Sequence, residues 1–185
     1  MRRLILFRHG KAETVPLTGG DRERALVARG RVDSTLTAEW LVKAGYFPDQ
    51  VLVSPSIRTK ATWECARAVF PDAKVEIRDR LYLAGMETIA DELEDPAAAG
   101  DTVMVVGHNP GLQELGVRLA TEAGAAPEQI DRINEGFPTS TACVIRVDQS
   151  EGTRGVALEA IYEPPRKGES EPRWLFVDQS PGDPG

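Results

Sequence analysis

Leu4-Ile5-Leu6-Phe7-Arg8-His9-Gly10 is the stretch whose reading decides the fold. Four apolar residues in a row, without polar alternation, predict a strand buried on both faces, as in the centre of an α/β sheet. Arg8, His9 and Gly10 end it abruptly, so the charge and the imidazole stand at the carboxyl end of the strand. Two later runs repeat the pattern. Val51-Leu52-Val53 leads into Ser54-Pro55-Ser56-Ile57-Arg58-Thr59, and Thr102-Val103-Met104-Val105-Val106 leads into Gly107-His108-Asn109-Pro110-Gly111.

Helical spacing fills the intervals. Ala25, Leu26, Val32, Leu36, Trp40 and Leu41 predict a helix over about 22–44, stopped at Gly45. Further helices are expected over 57–69, 87–93 and 111–123. A short peripheral strand is expected over 74–77, and later strands over 142–147 and 156–161 flank a turn-rich stretch. Strands alternating with helices define the α/β class. Beyond Tyr162 the chain is punctuated by prolines, which divides it into a single domain, 1–163, and a tail, 164–185. Within the tail the apolar island Trp174 to Val177 is expected to pack on the domain, and the last few residues to be disordered.

The 185 residues suit one core. Net charge is −7, from 22 basic and 29 acidic residues, which argues against nucleic acid as a partner. No apolar run approaches the ~20 residues that span a bilayer, and the start of the chain lacks the build of a signal peptide. The expectation is a cytoplasmic monomer with no membrane contact. Cys65 and Cys143 lie in apolar surroundings without metal-ligand spacing, and read as buried reduced thiols.

The chain holds only two histidines, and both follow a predicted buried strand. Ligands of open α/β sheets bind outside the carboxyl ends of the strands, so neighbouring strands would bring His9 and His108 into one pocket. A lone histidine after a strand is ordinarily a turn or cap residue; two in equivalent positions, each beside a glycine, point to a site. Two histidines without helical spacing or a cysteine partner make a poor zinc site, so no metal and no cofactor are expected. Arg8 and Arg58 also stand at strand ends. Guanidinium forks match phosphate oxygens, and the helix start at Arg58 adds unpaired N–H groups. A neutral imidazole is a competent nucleophile near neutral pH. The residues therefore predict attack by His9 on phosphorus, a phosphohistidine intermediate hydrolysed by water, and charge stabilisation by Arg8, Arg58 and His108.

These residues resemble the histidine phosphatase superfamily, which includes phosphoglycerate mutases. Leu6-Phe7-Arg8-His9-Gly10-Lys11 is similar to its Arg-His-Gly motif. Asp21-Arg22-Glu23-Arg24-Ala25-Leu26, with Gly30, resembles the Asp-x-x-Arg-x-Leu segment of SixA-like phosphohistidine phosphatases. Val53 to Thr59 with Thr62, Val106 to Leu112, and Phe137-Pro138-Thr139 resemble the remaining blocks, in order, over about residues 3–147. The resemblance implies a three-layer α/β/α fold with a mostly parallel central sheet. It also implies His9 as phosphate acceptor and Arg8, Arg58 and His108 as phosphate ligands. Lys11 and Arg24 would line the mouth, and Asn109 would add a contact or cap the next helix. The departure is the general acid. Mutase-like members carry a glutamate on an inserted segment, whereas Arg80 to Leu93 here is short and Glu87 is its only tempting candidate, which also reads as a surface residue opening a helix. A missing acid suits a good leaving group. The expected substrate is thus phosphohistidine of a protein partner. A phosphatase for small phosphomonoesters or nucleotide-like metabolites is the enzymatic alternative, and a non-catalytic phosphate-binding module the alternative of another class.

Overall fold

The computed structural model describes residues 1–16, 18–150, 153–165 and 168–176. Among these, the strands β1 (Arg3–Arg8), β2 (Gln50–Val53), β3 (Lys74–Ile77), β4 (Thr102–Gly107), β5 (Ala142–Ser150), β6 (Thr153–Glu163) and β7 (Arg173–Phe176) form one sheet, in the order β3-β2-β4-β1-β5-β6-β7. The first strand shows why three layers form. Side chains alternate across a strand, so Leu4 and Leu6 join one core and Ile5 and Phe7 the other. The helices α1 (Ala28–Lys43) and α2 (Ile57–Ala66) cover the Ile5–Phe7 face through Ala38, Leu41 and Trp63. The opposite face is covered by α3 (Met86–Glu94), α4 (Gly111–Glu122) and α5 (Pro127–Glu135), through Ile89, Leu112, Leu115, Leu119 and Ile133. The three-layer α/β/α expectation holds.

The sheet is mixed, which corrects the mostly parallel expectation. β3, β2, β4 and β1 pair in parallel, but β5 pairs antiparallel to β1, β6 to β5, and β7 to β6. Connection length is the reason. Parallel neighbours need a crossover of a dozen or more residues, and only two residues separate Ser150 from Thr153, so β6 has to fold back on β5.

Other elements refine the pattern-based reading. The first helix begins at Ala28, because Asp21–Glu23 form a 3-10 turn and Leu26 bridges to Ala12. α5 was not expected: it is mostly polar, and of its side chains only Ile133 is fully buried. The apolar island supplies β7, an edge strand in which Trp174 remains 56% exposed; Val177 and the last residues lie outside the described residues.

The order of the strands positions the site. From β1 the chain steps over one place to β2, moves outward to β3, and returns to insert β4 between β1 and β2. The carboxyl ends of β1, β4 and β2 therefore lie side by side, at the kind of topological switch where such sheets bind ligands.

Candidate active site

The turn after β1 is pinned from several sides. His9 N donates to Gly107 O (3.1 Å), Gly10 N to the Thr62 hydroxyl (2.9 Å), and Ser140 N to the carbonyls of Arg8 and His9 (3.2 and 3.1 Å). Gly10 presses on the first turn of α1: a Cβ there would come within 2.5 Å of Gly30 O and 2.6 Å of Ser34 Oγ, so no larger residue fits. Ser140 holds a left-handed backbone, φ +64°. Strained non-glycine residues of this kind persist where the surroundings over-determine them. Here Thr37 donates to the Ser140 carbonyl at 2.7 Å and the Ser34 and Ser140 hydroxyls meet at 3.2 Å.

His9 is buried, and its Nδ1 lies 2.8 Å from Gly10 O. A carbonyl can only accept, so Nδ1 carries the proton and the lone pair sits on Nε2. Burial, reinforced by the charges of Arg58, Arg8 and Arg24, lowers the His9 pKa to about 4. At neutral pH the ring is an uncharged base. His108, after β4, has its ring centroid 5.2 Å from that of His9. Its Nε2 is 2.7 Å from the Ser54 hydroxyl, and its buried Nδ1 has no hydrogen-bond partner among the described residues. Burial and the neighbouring His9 and arginines push its pKa down to about 3.

Two guanidiniums complete the centre. Arg58 stands on the first turn of α2, whose N-cap Ser56 accepts from Thr59 N, and is 2% exposed. Its Nη1 donates to Asp21 O (2.6 Å) and its Nη2 to Asp21 Oδ2 (2.9 Å). Arg8 Nη1 donates to Phe137 O (2.5 Å). The Nε groups of both arginines are buried without a partner among the described residues. Buried N–H groups rarely go unsatisfied, and a tetrahedral oxyanion offers the acceptors that two guanidinium edges and an imidazole lack.

These side chains line an open cavity of about 300 Å³, and the structure brings most of the sequence-predicted residues to it. Lys11 is exposed at the mouth. Arg24 also lines it, tied to Glu13 O (2.5 Å) and Asp21 Oδ1 (2.8 Å). Asn109 lines it as well, its amide donating to Gln113 Oε1 (2.9 Å) and Phe137 O (3.2 Å). Glu87 does not take part. It lies on α3 outside the cavity, 77% exposed, 3.5 Å from Arg118.

Asp21, Tyr82 and Ser54 are the residues the sequence reading left out. Asp21 stands in a motif already noticed, so its place in the chain was the available signal. Tyr82 carried none: it reaches Asp21 Oδ2 at 2.8 Å from 61 residues away and lies edge-on to the His108 ring, centroids 5.8 Å apart.

No protein-family model matches the chain. An uncharacterized protein of Mycobacterium tuberculosis, Rv1276c, is 33% identical over 141 residues, 76% of this chain and 87% of its relative. Among solved structures, a SixA phosphohistidine phosphatase candidate from Nakamurella multipartitia is similar with a TM-score of 0.75 and 27% identity, covering 88% of this chain and 96% of that one. A second such candidate, from Agrobacterium tumefaciens, gives a TM-score of 0.68 and 25% identity, with 96% of each chain covered. The likeness runs through nearly the whole of these chains: the chain belongs to the histidine phosphatase superfamily.

Proposed function

We propose that the chain is a metal-independent phosphatase that takes the phosphoryl group of a protein phosphohistidine onto His9 and passes it to water. The observation that carries this reading is the state of His9: uncharged, with Nδ1 bound to Gly10 O and the lone pair left on Nε2, in a pocket with His108, Arg8 and Arg58. Nε2 attacks phosphorus and a new P–N bond forms as the substrate's P–N bond breaks. The departing imidazole leaves neutral when its ring entered protonated. Water then attacks the phosphorus on His9, releasing phosphate and a proton and restoring the ring. The guanidiniums of Arg8 and Arg58 and an N–H of His108 meet the charge on the equatorial oxygens.

The leaving group follows from the pocket's acids. Among the described residues lining it, Asp21 is the one carboxylate. Hydrogen bonds from Arg24, Tyr82 and Arg58 hold its pKa well below the usual carboxylate range, so at neutral pH it has no proton to give. An alkyl phosphate leaves poorly without a proton donor, whereas a protonated phosphohistidine needs none. A cytoplasmic setting agrees with the free thiols of Cys65 and Cys143.

The test is turnover of a phosphohistidine peptide beside a panel of phosphomonoesters, without added metal, for wild type and His9→Ala. Faster release from the peptide, lost in the variant, is the expected result. Faster ester turnover would move the substrate to small metabolites, and undiminished turnover by His9→Ala would remove the nucleophile.

A further inference from the structure

Asp21 occupies an odd place for an acid, facing the guanidinium that a phosphatase of this kind needs for phosphate. Other carboxylates nearby are turned to different tasks: Glu13 Oε2 accepts from Ala25 N (3.1 Å), Asp33 pairs with Arg29 (2.6 Å) and Asp79 with Arg22 (2.9 Å). Among the described residues Asp21 is the one carboxylate that combines a bond to Arg58 with a position on the cavity wall.

The geometry is specific. Asp21 takes one edge of the Arg58 fork, Nη1 through its backbone carbonyl and Nη2 through Oδ2. The Nε of Arg58 stays unpartnered. Asp21 is itself held by Arg24 at Oδ1 (2.8 Å) and by the Tyr82 hydroxyl at Oδ2 (2.8 Å). The carboxylate thus fixes the rotation of Arg58 and presents the Nε edge, while placing a permanent negative charge beside the ground where an oxyanion would sit.

We propose that Asp21 is a positioning residue and the pocket's own counter-anion: it orients Arg58 and, by its charge, weakens the grip of the pocket on free phosphate so that product leaves. The inference rests on the phosphatase reading for its purpose, but its physical content is a statement about anion binding. Like charges a few ångström apart in a half-shielded pocket repel strongly, while an amide in the same place still offers Arg58 an oxygen acceptor.

Calorimetric titration with inorganic phosphate tests this without turnover. Asp21→Asn, which removes the charge and keeps an acceptor, is expected to bind phosphate about tenfold more tightly than wild type. In single-turnover and steady-state assays on the phosphohistidine peptide, kcat should fall more than the rate of the first phosphoryl transfer, because product is retained. Asp21→Ser, also uncharged, repeats the sign of the binding change should the asparagine variant fold poorly. A purely structural role predicts the reverse, a loosened Arg58 and weaker phosphate binding. Unchanged or weaker binding in both variants, or no phosphate binding in any of the proteins, overturns the proposal. Tighter binding in variants of a protein that hydrolyses nothing would uphold the counter-anion and sink the phosphatase reading alone.

Discussion

The two halves of the sheet bury side chains in the same alternating way and serve the site differently. β3, β2, β4 and β1 run in parallel, so the turns after β1, β2 and β4 open at one edge and deliver His9, Arg58 and His108 to one cavity. β5, β6 and β7 double back on one another. Their half supplies fixed backbone groups from the segment before β5: the Phe137 carbonyl that receives Arg8, and the Ser140 amide that holds the turn carrying His9. Parallel pairing concentrates reactive side chains because every strand ends on the same side. Antiparallel pairing spreads strand ends over both sides, and suits a buttress.

The comparison can be broken most directly at Arg58. Arg58→Ala is expected to lower turnover of the phosphohistidine peptide by about 100- to 1000-fold, the usual effect of losing one transition-state donor. A loss below about tenfold would mean that this guanidinium is not at the reacting phosphoryl group. The buttress half should answer differently. Leu158, on β6, is 2% exposed within the core that α3 to α5 cover. Leu158→Ala should lower unfolding free energy in urea by about 2–5 kcal/mol, with turnover per folded molecule kept within about twofold. A rate that collapsed along with stability would erase the distinction between the halves.

A last test uses pH, where each histidine contributes a small effect, and it sharpens the picture of the parallel half. Burial lowers the pKa of His9 to about 4 and of His108 to about 3, against ~6.5 in an unfolded chain. The unfolded state therefore binds more protons in this window. Stability is full above pH 6.5 and is lost as pH falls toward the folded values. Between pH 7 and pH 5 the loss should be about 2 kcal/mol for each histidine. Only two histidines occur in the chain, so few other groups blur this range. Urea melts at the two pH values should show a slope roughly halved in His9→Ala. An equal slope in the variant would show that burial of His9 does not set its protonation.

Much of the centre was legible beforehand because strands and their ends are local events. Four consecutive apolar residues before Arg8-His9 fix a buried strand and a terminus, and the same holds before His108. Gly45 was legible as a helix stop for the same reason, and it adopts φ +82° there. Glu87 shows the limit: it was the one tempting acid of a short chain segment, but nothing in spacing tells whether a helix turns it to a pocket or, as here, toward Arg118. α5 was missed because its two isoleucines stand among charges, and only packing of Ile133 against α4 and its neighbours gives those residues a reason to be helical.

By itself the sequence determined the α/β class, the buried strands, and the four side chains that stand at their ends, since apolar continuity, glycine turns and residue chemistry act over a few residues. Tertiary structure alone decided that the second half of the sheet reverses, that the His108 ring meets Ser54, and that Asp21 and Tyr82 close around Arg58. Those contacts join residues tens of positions apart, and their partners are chosen by how layers stack and which buried polar groups need satisfying, which no local pattern encodes.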